Sequence, residues 1–149
     1  FHPDFTHDRL CHSDTARKCG IPNTCPPDLE ANLLKLSCLM GEVQALFSPY
    51  RIEITSGYRC PDLNNRVGGV ETSQHTLGLA ADWICPQAGT PWELANTVAQ
   101  SSIEFDQLIL EFNRWVHIST RPEGQSPRRE VLSIFSSAEG YLNGLQKRE

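Results

Sequence analysis

One apolar stripe constrains this chain more than any other feature. Leu29, Leu33, Leu36, Met40, Val43 and Phe47 recur at alternating spacings of four and three, which lays them along one face of an α-helix. Pro27 suits a first helical turn, and Pro49 forbids much continuation. The spacing predicts a helix over Asp28–Phe47 with one face that must be covered. Cys38 falls within the pattern and is read as a buried thiol, since free cysteine packs as a small hydrophobe.

Short strands follow. Ile52 and Ile54 alternate within Arg51–Thr55, and Ala80–Ile84 is a second candidate. Asp106–Phe112 and Trp115–Ser119 read as two strands joined by a turn at Asn113-Arg114. Ser13 caps a helix over Asp14–Cys19, with Gly20 as its stop. Ile21–Pro27 is a loop, and Pro61 opens a short helix that ends before Gly68-Gly69. Thr90-Pro91-Trp92-Glu93 is a capping box with proline at N1, predicting a helix to about Ser101. The tail from Ser126 holds one more strand or helix, and its polar end frays. The pattern, taken with the resemblance carried by the motifs below, implies one α+β domain, a small, mainly antiparallel sheet with flanking helices and the long helix behind it. Residues 1–12, with His2, His7 and His12 at spacings of five, are set apart as an N-terminal arm, solvated or locally packed. Residues 13–135 form the domain proper, and 136–149 a C-terminal tail.

Composition narrows the function. The 149 residues carry 13 Lys and Arg against 18 Asp and Glu, a net charge of −5, which argues against a nucleic-acid partner. Mean hydropathy is −0.37 and apolar runs are short, so membrane insertion is excluded. No charged stretch leads into an apolar run, so no signal peptide is visible. The six cysteines contain no C-x-x-C spacing, which disfavours a zinc ribbon or a thioredoxin-like site. Their number fits an oxidising destination, and their pairing is not readable from spacing.

Three residues carry candidate chemistry: His75, Asp82 and His117. His75 lies in a loop and Asp82 on the strand that follows, with small Gly78, Ala80 and Ala81 letting the backbone pass close to an ion. On its strand His117 shares a face with Trp115 and Ser119, while Val116 and Ile118 face the core. Two imidazoles and a carboxylate are a three-ligand set that leaves a fourth zinc position for water. Unrelated polar residues are the competing reading of the spacing alone.

The longer string decides between them. Ser56-Gly57-Tyr58-Arg59-Cys60-Pro61, Val67-Gly68-Gly69, Ser73-x-His75-x-x-Gly78-x-Ala80-x-Asp82, Phe105-Asp106-Gln107-Leu108-Ile109 and Trp115-Val116-His117-Ile118-Ser119 occur in order. With Ser13-x-Thr15-Ala16 and Gly20-Ile21-x-Asn23, this series resembles the M15 zinc peptidases over about residues 10–135. The likeness is to the small single-domain phage and bacterial branch, whose fold is shared by D-Ala-D-Ala peptidases and the hedgehog signalling domain.

The resemblance implies a zinc hydrolase acting at the cell wall on peptidoglycan peptides that contain D-amino acids, as a carboxypeptidase or an endopeptidase. It implies one Zn²⁺ held by His75, Asp82 and His117 in a monomer. Arg59 matches the family's arginine upstream of the metal loop, and either meets the oxyanion or forks a substrate carboxylate. Ser73 either donates to substrate or caps the metal loop, and Trp115 walls the cleft or simply packs. Several branches place an acid three residues before the second zinc histidine. Here that position is Arg114, which cannot accept a proton near neutrality. Glu111 becomes the expected general base, with Asp106 a poorer second choice that could instead cap a turn. The alternative is a catalytically inactive, zinc-containing wall-binding or structural module, since a shared fold does not settle function.

Overall fold

A computed structural model describes residues 1–148. Five helices and six strands follow one another: α1 (His7–Cys11), α2 (Asp14–Cys19), α3 (Glu30–Phe47), β1 (Glu53–Ser56), α4 (Pro61–Arg66), β2 (Ala80–Ile84), α5 (Pro91–Ala99), β3 (Gln107–Glu111), β4 (Trp115–Ser119), β5 (Glu130–Ile134) and β6 (Tyr141–Asn143). Short 3-10 turns at Pro27–Leu29 and Gln74–Leu77 precede α3 and β2. The strands form one open sheet in the order β1-β2-β4-β3-β5-β6. Every neighbouring pair is antiparallel except β3 with β5. This is a single α+β domain.

The apolar stripe does what its spacing requires. Leu33, Leu36, Met40, Val43 and Phe47 are buried, and α3 packs behind the sheet with α5. Ala81 and Trp83 of β2, Leu108 of β3, and Val116 and Ile118 of β4 meet it in one core. Each buried Val, Leu, Ile, Met or Phe side chain among them contributes about 1.5–3 kcal/mol by leaving water. Thr90 and Glu93 close the capping box of α5 in both directions. Ser13 caps α2, and Gly20 ends it in the left-handed conformation at φ 66°.

Three expectations need correction. Cys38 is exposed, because it sits two residues past Leu36 and therefore on the far side of α3 from the stripe. The hairpin turn falls one residue earlier than read: Phe112 and Asn113 take the left-handed conformation at φ 57° and 56°, as a tight hairpin with right-handed twist demands. The tail from Ser126 contains not one element but both β5 and β6.

The N-terminal stretch is packed. Phe5 and Leu10 are fully buried in the main core. Ser37 Oγ on α3 donates to the Phe5 carbonyl and accepts from His2 N–H. The Leu10 carbonyl accepts the Tyr58 N–H at 2.8 Å, so α1 docks directly on the segment that leads to the site.

Candidate metal centre

Strand alternation selects the face opposite the core. Asp82 and Ile84 of β2, Gln107, Ile109 and Glu111 of β3, and Trp115 and His117 of β4 all line one cleft of about 800 Å³. Asp82 and His117 are direct cross-strand partners in the β2–β4 register, so their side chains rise side by side. His75 arrives from the 3-10 turn just ahead of β2. Gly78 reverses the chain between them at φ 71°, a conformation that favours glycine.

The three side chains converge. His75 Nε2 lies 3.2 Å and His117 Nδ1 3.0 Å from Asp82 Oδ1. All three residues are buried, and their ligand atoms lie within 4.8 Å of one another. The outward ring nitrogens are occupied: His75 Nδ1 faces the Gly57 carbonyl at 2.7 Å, and His117 Nε2 faces Gln74 Oε1 at 3.3 Å. A carboxylate and two oriented imidazoles, buried together, fit a small divalent cation such as zinc. Burial works to raise the Asp82 pKa. The positive charge of His75 and hydrogen bonds from both histidines outweigh it, holding the carboxyl well below the usual range. Asp82 is thereby held ionised between the two histidines.

Three residues of the S-G-Y-R string, Ser56, Gly57 and Arg59, support the site from one side. Ser56 Oγ accepts from Arg59 Nε at 3.0 Å. Gly57 holds His75 through its carbonyl, and a side chain there would collide with the Leu10 carbonyl. Arg59 N–H donates to the His75 carbonyl at 3.1 Å. The Arg59 guanidinium is further held by Asn64 Oδ1 at 2.9 Å and lies 3.7 Å from Asp82 Oδ2. Burial lowers its pKa while Asp82 and Glu111 oppose that shift. Gly69 passes so close that an added Cβ would overlap Asn64 Oδ1 and press on the Arg59 guanidinium.

The remaining expected residues divide. Glu111 lines the cleft and accepts from Trp115 Nε1 at 2.7 Å. Its pKa is raised, chiefly by burial and further by the charge of Asp82, against the pull of His117 and Trp115. Ser73 Oγ accepts from His75 N–H and so caps the metal loop, while the residue also lines the cleft. Arg114 lines the cleft and forms no ion pair among the described residues. Asp106 does not reach the reaction space. It is fully buried and engaged by Arg128, Arg121 and Gln74. Sequence reasoning passed over Gln74, Asn64 and Tyr141, all of which support or rim the cleft. Two of them carry a signal in sequence: Gln74 lies inside the Ser73-x-His75 string, and Asn64 closes the string that runs from Ser56 through Pro61-x-Leu63.

Fold and site together define a candidate metal-binding domain: an α+β fold with a His-Asp-His cluster on the open face of its sheet. The family model described as Peptidase M15 matches residues 3–119, and the chain belongs to that family of metallopeptidases. No curated protein matches the chain.

Proposed function

We propose that this chain is a zinc-dependent peptidase that hydrolyses peptidoglycan stem or cross-link peptides containing D-amino acids, as a D-Ala-D-Ala carboxypeptidase or an endopeptidase, at the cell wall. The observation that carries the reading is the presence of Glu111 and Arg59 in the same cleft as the three donors. That cleft supplies a metal site, a base and a cation, the three groups that hydrolysis of an unactivated amide needs.

His75, Asp82 and His117 would hold the zinc, which when bound lowers the pKa of water and polarises a carbonyl. Glu111 takes a proton from the attacking water and returns it to the leaving amine. Burial raises its pKa, which brings the group nearer to a neutral working pH and improves it as an acid–base catalyst. Trp115 Nε1 binds only Oε1, so the second carboxylate oxygen is free to face the cleft. Arg59, held by Ser56 and Asn64, turns its Nη2 toward Asp82 Oδ2 at 3.7 Å, and from the edge of the metal site it would meet either the charge developing on the scissile oxygen or a carboxylate of the substrate. Trp115 forms a wall for the substrate, and the Ser73 hydroxyl, its oxygen engaged by the loop, still has a hydrogen to donate to it.

Arg114 favours a second reading, an inactive wall-binding module, because it stands where other branches carry an acid. Incubation with purified peptidoglycan and with D-Ala-D-Ala peptides, followed by mass spectrometry, separates the two. Released D-Ala identifies a carboxypeptidase, and a cut at a stem or cross-bridge identifies an endopeptidase. Intact wall retained on zinc-loaded protein, with no product, selects the binding module.

A further inference from the structure

Asp106 and Gln74 form a connected arm behind the metal centre. Asp106, fully buried, accepts from Arg128 N–H at 3.1 Å, Arg128 Nε at 2.9 Å and Arg128 Nη2 at 2.9 Å, and is ion-paired with Arg121, whose Nε lies 3.1 Å from Oδ1. Two guanidinium groups against it keep its carboxyl ionised, so both oxygens only accept. Its Oδ2 also takes a hydrogen bond from Gln74 Nε2 at 3.0 Å. A carboxylate cannot donate, so the Gln74 amide is held one way round: its NH2 toward Asp106 and its Oε1 toward His117. Oε1 lies 3.3 Å from His117 Nε2. An amide oxygen in turn only accepts, so Nε2 carries a proton, and Nδ1 is the nitrogen left to bind a metal once the proton it shares with Asp82 is displaced. Nδ1 is the atom that points at Asp82 Oδ1, 3.0 Å away, into the cluster.

We propose that Gln74, clamped by Asp106, is a positioning residue that sets the tautomer and ring angle of His117, so that Nδ1 is its metal-binding nitrogen. One 3-10 turn then supplies both His75 as a donor and the group that orients the other histidine. The Arg121 and Arg128 pair serves the centre through this arm rather than through contact with it. The inference rests on the reading that His75, Asp82 and His117 hold zinc.

The test compares wild type with Gln74→Met and Gln74→Leu. These variants keep the bulk of a half-buried side chain and remove its polar end. Zinc affinity is measured by competition with a chromophoric chelator, alongside the melting temperature of the stripped protein. Orienting partners of ligand histidines are worth about 10–100-fold in affinity. Both variants should therefore bind zinc 10–100-fold more weakly, with the melting temperature of the stripped protein unchanged. In ¹⁵N-labelled zinc-loaded wild type, the His117 Nε2–H proton should be protected from exchange and visible, with Nδ1 showing the metal-ligated shift. In both variants that proton should exchange away. Unchanged zinc affinity, or a wild-type protein in which Nε2 is the ligated nitrogen, overturns the positioning role and leaves the metal site standing. A wild-type protein that binds no zinc overturns both.

Discussion

At the scale of residues, two glycines and one glutamate bear the sharpest expectations. Gly57 runs against the Leu10 carbonyl, leaving no room for a Cβ. Gly57→Ala should cost about 1–3 kcal/mol through forced backbone movement, seen as a lower midpoint in urea denaturation. Gly69→Ala should act differently, because the atoms it meets belong to the Asn64 and Arg59 side chains. The protein should stay folded while kcat/KM falls by about 10²-fold as Arg59 is displaced. As the proposed base, Glu111 should govern pH dependence. Its pKa is raised, mainly by burial, so kcat/KM should fall as pH drops through a value above the ordinary carboxylate range. The Trp115 Nε1 hydrogen bond favours the ionised form. Trp115→Phe removes that bond, so the acid limb of the profile should move to higher pH. Glu111→Gln should retain zinc and lose about 10²–10⁴-fold in kcat. Unaltered turnover in that variant would assign the proton transfer to another group.

Elements show where sequence patterns are legible and where they are not. Ser13, Gly20, Thr90 and Glu93 marked the ends of α2 and α5 because capping chemistry is local and needs particular side chains. Thr90→Ala should accordingly cost about 1 kcal/mol, measurable as a lower melting temperature. β5 was not separable from the tail in sequence, since its place depends on a parallel pairing with β3 across a long connection. That pairing is tied at its start by Asp106. The Glu130 N–H binds the Asp106 carbonyl, and Arg128 forks the Asp106 carboxylate. Burial alone would raise the Asp106 pKa, but hydrogen bonds and charge from Arg128, with the charge of Arg121, lower it. A carboxyl depressed in the folded state stabilises the protein above its unfolded pKa, and that stability is lost as pH falls through the depressed value. Unfolding free energy should therefore decline below about pH 4, and Asp106→Asn should flatten that part of the curve. The role of Asp106 was hidden in the sequence because its partners lie 15 and 22 residues away, beyond any local pattern.

The whole molecule joins a conventional core to a polar face by strand alternation alone. The metal donors were readable because Asp82 and His117 occur in ordered strings and on strands whose apolar residues reveal the other face. Their support was not, because Gly57, Asn64 and Gln74 act through backbone and amide contacts that only the fold assembles. The N-terminal residues show the same limit. The polar, histidine-rich composition leaves a solvated and a locally packed arm equally open, and only the fold shows Phe5 and Leu10 fully buried with α1 against the S-G-Y-R segment. Leu10→Ala should cost about 2–5 kcal/mol, and zinc affinity should weaken with it as the segment holding His75 loosens.

Hydrolysis that runs on the His75, Asp82 and His117 centre must depend on the metal these residues hold. The most direct test is the rate of peptidoglycan cleavage by chelator-stripped protein as zinc is returned in steps. The rate should start near zero, rise in proportion to zinc, and level off at about one ion per chain. Cleavage that is indifferent to zinc, or no cleavage at saturating zinc, would contradict it.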